Sequence, residues 1–382
     1  MEQGTGKTRT AIELIHSTDC DFVLLICPFS TKDNLKYEID KWQLQREYII
    51  LGYETLSASD RIYLETLEML DGKKLFIVAD ESIFIKNEEA KRFNRVMHFA
   101  SMSEYRLILN GTPVTKDEWD IFNQMLFLSP KIINMSRQEF LNTFFTKVQY
   151  KKKFERPKEF YKLSQVNVGY LRKLIEPYVF RVEMNFNKKV ETQYIEILAS
   201  SETKERYSTL KKDLLDNVAN EEMFMDILVF MQYSMFTDVE RCKQIAKKLS
   251  GQAIVYCSFL EEVRAIADEL DCYVITGATS STERINTLEQ FKNDSKPLLM
   301  TFGVGSYGLN LQFCNHIAFA SLTFDYAKIE QAQARIKRLG QSKDIVYTYF
   351  TSDLGIYTMI ENNIVNKQNL SEFMMEELKE VL

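Results

Sequence analysis

The sequence predicts an α/β protein with two parallel-sheet domains and a helical insertion between them. Three observations carry that reading. Short continuous apolar runs, Phe22–Cys27 and Leu75–Ala79, have the pattern of strands buried on both faces, and helix-length stretches separate them. From about residue 130 to 238 the chain turns rich in Lys, Glu, Phe, Tyr and Met and reads as mostly helical. From Ala253 onward the strand-helix alternation returns, which implies a second parallel sheet.

In chain order, Thr8–His16 is a helix, Phe22–Cys27 a strand, Thr31–Trp42 and Ser59–Leu70 helices, Leu75–Ala79 a strand and Arg106–Leu109 a third strand. Glu221–Phe236 is apolar enough to pack as a core helix. In the second half, Ala253–Cys257, Tyr273–Ile275, Pro297–Phe302, His316–Ala320 and Ile345–Phe350 read as strands. Leu260–Leu270, Thr282–Phe291 and Tyr326–Arg338 read as helices, and Ser371–Leu382 as an amphipathic terminal helix. The expected division is 1–129, 130–237 (the insertion), 238–367 and 368–382.

Lys plus Arg number 48 against 54 Asp plus Glu, a net charge of −6, so any contact with nucleic acid needs a local basic groove, not a generally basic surface. The six cysteines form no C-x-x-C pair and several sit in apolar runs, so they read as buried thiols of a reducing, cytoplasmic or nucleoid setting. No apolar run reaches the roughly 18–20 residues of a membrane span, and no signal peptide is read.

Residues 4–8, Gly-Thr-Gly-Lys-Thr, form a Walker A motif. Gly4 and Gly6 let the backbone curl so that its N–H groups, with that of Thr5, face phosphate oxygens, and the following helix adds its positive end. Lys7 would reach the β- and γ-phosphates and the Thr8 hydroxyl would ligate Mg²⁺. Asp80-Glu81 closes a buried strand, the end at which parallel sheets present their sites. Asp80 would hold Mg²⁺ and Glu81 would polarise the attacking water. Gln331-Ala-Gln-Ala-Arg335-Ile-Lys-Arg338-Leu-Gly-Gln341 falls on an expected helix, where Arg335 and Arg338 would share a face suited to a γ-phosphate. The glycines of 303–308, Gly308 among them, would allow close approach to a phosphate.

Together these motifs resemble the superfamily 2 helicase-like ATPases, and within them the Swi/Snf-type double-stranded DNA translocases. Gly4–Thr8 is similar to motif I, Cys27–Leu35 with Trp42 to motif Ia, Asp80–Asn87 to the D-E-x-x-x-I-K-N form of motif II, and Leu109–Val114 to motif III. Val255–Phe259, Gly308–Leu311 and Gln331–Gln341 are similar to motifs IV, V and VI. The resemblance covers residues 1 to about 367. It implies two RecA-like lobes, ATP with Mg²⁺, catalytic roles for Asp80, Glu81, Gln331, Arg335 and Arg338, and duplex DNA as partner. The DNA would be held at Ser30, Thr31, Lys32 and Lys86 in the first lobe and at Ser258, Thr301 and Asn310 in the second.

Two departures accompany the likeness. The strand from which such a phosphate loop hangs is absent ahead of residue 1, which leaves open an earlier start, a fragment or a crippled site. Ala320-Ser321 and Phe324–Tyr326 stand where the family carries an Asp and a Trp-Asn-Pro triplet. The basic-aromatic stretch Lys147–Lys162 reads either as a phosphate-tracking surface or as a solvated loop or helix face. A strand-separating helicase and a nucleic-acid-binding remnant without turnover remain alternatives. The absence of appended modules suggests a viral or mobile-element source.

Overall fold

The computed structural model describes residues 5–110, 120–150, 158–164, 166–180, 182, 186–217, 221–305, 309, 311–338 and 340–366. By packing, the chain divides into two units, 1–184 and 185–382.

In the first unit, α1 (Lys7–His16), β1 (Phe22–Cys27), α2 (Lys32–Trp42), β2 (Glu47–Gly52), α3 (Tyr53–Ala58), α4 (Asp60–Leu70), β3 (Leu75–Asp80), α5 (Lys91–Met102) and β4 (Tyr105–Leu109) form the α/β part. The sheet is parallel, in the order β2-β1-β3-β4. Alternate residues of its central strands serve different cores: Leu24, Ile26, Ile77 and Ala79 pack on one side, Val23, Leu25, Phe76 and Val78 on the other. That two-sided burial is why these strands read as unbroken apolar runs. Next come α6 (Asp120–Leu128), α7 (Pro130–Ile133), α8 (Arg137–Phe144), β5 (Phe145–Tyr150), β6 (Lys158–Leu163) and α9 (Val168–Ile175). Phe122, Phe140, Phe144 and Leu171 give this part a core of its own.

β4 pairs with β3 on one side and ends the sheet. Along it runs a cavity of about 1110 Å³, walled by Ala11 and Leu14 of α1 and by Met125, Ile132, Ile175 and Val179. Two helical layers therefore overhang the sheet edge with no strand of the described residues between them.

The second unit holds β7 (Val190–Ile197), α10 (Ser201–Asp216), α11 (Glu221–Phe236), α12 (Val239–Lys248), β8 (Ile254–Cys257), α13 (Leu260–Ala267), β9 (Tyr273–Ile275), α14 (Ser281–Lys292), β10 (Leu298–Thr301), α15 (Phe302–Gly305), β11 (His316–Phe319), α16 (Tyr326–Gln333), β12 (Ile345–Ser352) and α17 (Gly355–Asn366). Its sheet runs β7-β12-β11-β8-β10-β9, parallel at every pair. Two parallel sheets flanked by helices are the expected pair of RecA-like lobes.

Two expectations are corrected and one is refined. The 130–237 segment is mostly helical among its described residues, and it also contains β5, β6 and β7. It does not pack as one insertion. Residues through α9 pack with the first unit, whereas β7, α10 and α11 belong to the second, where Leu228, Met231 and Met235 of α11 join the core of Ile254 and Tyr256. The Lys147–Lys162 stretch is neither loop nor helix face where described: β5 and β6 pair antiparallel, Phe145 opposite Leu163 and Tyr150 opposite Lys158. The terminal helix expected at 371–382 lies outside the described residues. No described helix is long and apolar enough to cross a membrane. All six cysteines are free thiols, and Cys272 alone is not fully buried.

Candidate functional site

The phosphate-facing end of α1 is built by Gly6. It caps the helix at φ 85°, ψ 30°, a left-handed conformation that costs an L side chain about 1–2 kcal/mol. No side chain caps the helix and no acidic residue lies in its first turn. The first N–H groups of α1 and its positive end are thus left to an anion. Gly4 lies outside the described residues.

Lys7 stands close enough to Asp80 to pull its carboxyl downward in pKa, but burial dominates, the Glu81 charge adds to it, and Asp80 is pushed up to about 7. The Asp80 carboxylate accepts a hydrogen bond from the Glu81 N–H at 3.1 Å. Glu81 adopts φ 51°, ψ 56°, one of three non-glycine residues in the left-handed region among those described. Such a conformation costs about 1–3 kcal/mol and must be held by its surroundings. Ser82 and Asn110 help to hold it. The Ser82 hydroxyl donates to Gln124 Oε1 at 2.6 Å and accepts from Asn110 Nδ2 at 3.1 Å, so the segment after the acidic pair is tied to the end of β4 and to α6. Asn123 Nδ2 donates to the Lys86 carbonyl at 2.6 Å.

Thr8 and Asp80 offer one hydroxyl and one carboxylate. These are hard oxygens of the kind Mg²⁺ accepts beside phosphate and water. A carboxyl held up by burial is also one that a cation would return to its ionised form. The residues present therefore fit a nucleotide with its divalent ion.

The nucleic-acid candidates of the first unit lie on the turn after β1. Ser30 and Thr31 form a short 3₁₀ turn with Phe29, and Lys32 opens α2. The Thr31 hydroxyl donates to the Pro28 carbonyl at 3.0 Å. Lys86 follows a second 3₁₀ turn, Ser82–Ile85.

Sequence reasoning missed the segment linking these places. Tyr53, wholly buried at the start of α3, donates its hydroxyl to the Asp80 carbonyl at 3.0 Å and stacks on Phe84, with ring centroids 5.3 Å apart. Its neighbour Glu54 accepts the Phe29 N–H at 2.8 Å. The apolar run Tyr48–Leu51 just ahead was the available signal for a strand ending there.

In the second unit, α16 stops at Gln333, so Arg335 and Arg338 lie on turns beyond it and not on a shared helical face. Ile336 is fully buried between them, and Arg338 Nε donates back to the Ala334 carbonyl at 2.8 Å. The two guanidinium groups still converge near Tyr256, whose hydroxyl burial pushes up to about 12 while both arginines pull it down. Gln331 is half-buried on α16, and Thr301 ends β10. Gly308 and Asn310 lie outside the described residues.

Ser258 is engaged inside the protein. Its N–H is shared between Glu262 Oε2 and Ser321 Oγ, both at 2.9 Å, and its hydroxyl donates to the Leu322 carbonyl at 3.2 Å. Glu262 is fully buried and pairs with the buried Arg241 at 3.3 Å. The residues at Ala320-Ser321 thus take part in a buried carboxylate-guanidinium cluster, since Arg241 also donates to the Ala320 carbonyl.

Comparison with known families decides the class. The SNF2-related domain model matches residues 1–244, and the helicase conserved C-terminal domain model matches residues 237–340. The chain belongs to the SNF2-related family. One relative is the SWI/SNF-related matrix-associated actin-dependent regulator of chromatin subfamily A-like protein 1 of Drosophila melanogaster. It is 24% identical over 411 residues, covering 97% of this chain and 52% of that protein. The DNA annealing helicase and endonuclease ZRANB3 of Bos taurus is 22% identical, covering 100% of this chain and 39% of that protein. The chromatin structure-remodeling complex subunit snf21 of Schizosaccharomyces pombe is 24% identical, covering 95% and 36%. This SNF2-related chain therefore spans about half, or less, of the length of these relatives.

Proposed function

We propose that this SNF2-related chain is a DNA-dependent ATPase that couples hydrolysis to translocation on, or remodelling of, duplex DNA. The observation that carries the reading is the meeting of the uncapped α1 terminus, Lys7 and the half-buried Asp80-Glu81 pair at the carboxyl end of one parallel sheet. Relatives named as chromatin regulators and as a DNA annealing helicase support DNA as the partner.

On this reading Thr5, Gly6 and Lys7 hold the phosphates of ATP, and Thr8 and Asp80 hold Mg²⁺. Glu81 orients the attacking water, while Gln331, Arg335 and Arg338 act on the γ-phosphate during turnover. The bound cation would neutralise phosphate charge as the bond breaks. Ser30, Thr31, Lys32, Lys86 and Thr301 contact the DNA backbone, which positions the protein without selecting sequence.

The test is ATP hydrolysis with and without duplex DNA, beside Lys7→Ala and Arg335→Ala. Turnover stimulated by DNA, and reduced in each variant by the roughly thousandfold or more typical of such groups, is the expected result. Turnover indifferent to DNA, or unchanged in Lys7→Ala, overturns the proposal.

A further inference from the structure

Gly52, Tyr53 and Glu54 lie between the two parts of the first unit that the proposed function uses, and neither the motifs nor that function assigns them a role. We propose that Tyr53 and Glu54 are positioning residues that join the turn for DNA phosphate to the acidic pair, so that occupancy of the turn is felt at Asp80 and Glu81. The inference rests on the ATPase reading and names how DNA would stimulate that same site.

Three contacts converge on this segment. Tyr53 reaches the acidic side: its hydroxyl donates to the Asp80 carbonyl at 3.0 Å, and its ring stacks on Phe84 at an interplanar angle of 8°. The Asp80 carbonyl belongs to the peptide that leads into Glu81, the residue held at φ 51°. A bond to that carbonyl helps fix the peptide's orientation, and with it the direction in which the strained residue presents its carboxylate. Glu54 reaches the other side: its Oε2 accepts the Phe29 N–H at 2.8 Å. Phe29 opens the 3₁₀ turn that carries Ser30 and Thr31. Phe29 is 62% exposed, so it is held by its backbone rather than by burial.

Gly52 explains how the two can approach so closely. A Cβ there would lie 3.3 Å from Phe29 Cβ and 3.1 Å from Thr55 Oγ1, tighter than ordinary van der Waals contact. Any larger residue would push the Phe29 turn away from α3. Thr31 adds a local brace, since its hydroxyl donates to the Pro28 carbonyl at 3.0 Å. Consecutive residues of one short helix therefore grip the Phe29 turn and the Asp80-Glu81 peptide. A displacement of the turn by a bound phosphate would act on α3, and through Tyr53 on the peptide ahead of Glu81.

The role of Glu54 is to accept a hydrogen bond, so its charge is dispensable. A carboxylate near a phosphate-binding turn weakens DNA binding by repulsion, and Gln keeps the acceptor without that charge. This separates positioning from simple electrostatics. Tyr53→Phe keeps the buried ring and its stack and removes only the donor.

The experiment measures ATP turnover at saturating and at zero duplex DNA, ATP KM, DNA affinity by fluorescence anisotropy and thermal midpoint. It compares the full chain with Tyr53→Phe, Glu54→Ala, Glu54→Gln and the Tyr53→Phe/Glu54→Ala double variant. Each of Tyr53→Phe and Glu54→Ala should lower the ratio of DNA-stimulated to DNA-free turnover by roughly three- to tenfold, the range set by one hydrogen bond. ATP KM should stay unchanged. Glu54→Gln should restore the ratio, and the double variant should lose less than the product of the single losses, because both bonds serve one linkage. A parent chain that DNA does not stimulate sinks the ATPase reading and this inference with it. A stimulated parent whose ratio survives Tyr53→Phe and Glu54→Ala overturns the inference alone. So does a loss that merely follows a fall in thermal midpoint, or one that Glu54→Gln fails to rescue.

Discussion

Asp80 shows how one residue can serve a site at the expense of the fold. Its carboxyl is pushed up to about 7, first by burial and then by the Glu81 charge, with Lys7 opposing both. The unfolded chain has an ordinary carboxyl near 4. A group whose pKa is raised on folding contributes stability in full below its unfolded value, and that contribution is lost as pH rises to the folded value. In the absence of ligand, Asp80 therefore costs stability progressively from about pH 4 to pH 7 and no more above that range. Asp80→Asn keeps an oxygen to accept the Glu81 N–H, which now lies at 3.1 Å from Asp80. The variant should raise the thermal midpoint at pH 8 by several degrees, gain less at pH 5, and lose ATP turnover, as expected where a site is maintained against stability. Calorimetry at the two pH values checks the sign, and an equal or opposite shift at pH 8 would show that Asp80 is not strained by burial. The acidic pair was legible in the sequence because it follows an unmistakable buried strand. Tyr53 was not, since its hydrogen bond goes to a main-chain carbonyl and leaves no pattern of side-chain types. The Arg335–Arg338 pair does not share the helical face that residue spacing implies, because α16 ends at Gln333 and both arginines lie beyond it.

Strands were legible in proportion to how completely the fold buries them. β1 and β3 are enclosed on both faces and read as continuous apolar runs. β7 is an edge strand whose residues from Val190 to Tyr194 are all exposed, so Val-Glu-Thr-Gln-Tyr carried no such signal and was taken with the helical insertion. β4 is the instructive intermediate. Its sequence, Tyr-Arg-Leu-Ile-Leu, is as apolar at Leu107–Leu109 as an inner strand, yet four of its five residues are only half-buried. It ends the sheet while helices on both sides extend past it over a cavity of about 1110 Å³. An open parallel edge with apolar walls accepts another strand readily, because ladder hydrogen bonds and apolar burial are gained together. Lys7 lines the same cavity, so a strand running parallel to β4 would finish beside the start of α1. Fusing about six Val- and Ile-rich residues ahead of Met1 should raise the thermal midpoint and slow amide exchange along β4. A polar six-residue extension should do neither. Equal exchange in the two fusions would mean that the edge takes no strand.

At the scale of the whole molecule, the chain is two packed units, each with its own parallel sheet and its own cores. The residues that would bind nucleotide, Gly6, Lys7, Thr8 and Asp80, all belong to the first unit, whereas the DNA candidates are divided, with Thr31 and Lys32 in the first and Thr301 in the second. Separate cores predict separate cooperative transitions, because unfolding one sheet removes none of the other's internal packing. Ligands should then act on those transitions selectively. A ligand that binds only the folded state stabilises by about 2.7 kcal/mol at a hundredfold excess over its Kd. ATP with Mg²⁺ should therefore raise the first unit's transition and leave the other in place, and Lys7→Ala should abolish that shift. Duplex DNA should raise both, and by less as salt increases, since phosphate contacts release counterions. Scanning calorimetry of the full chain, with residues 185–382 alone as the reference for assigning the second transition, measures all of these shifts together. A nucleotide shift confined to the transition that residues 185–382 reproduce would displace the phosphate site from Lys7 and Asp80.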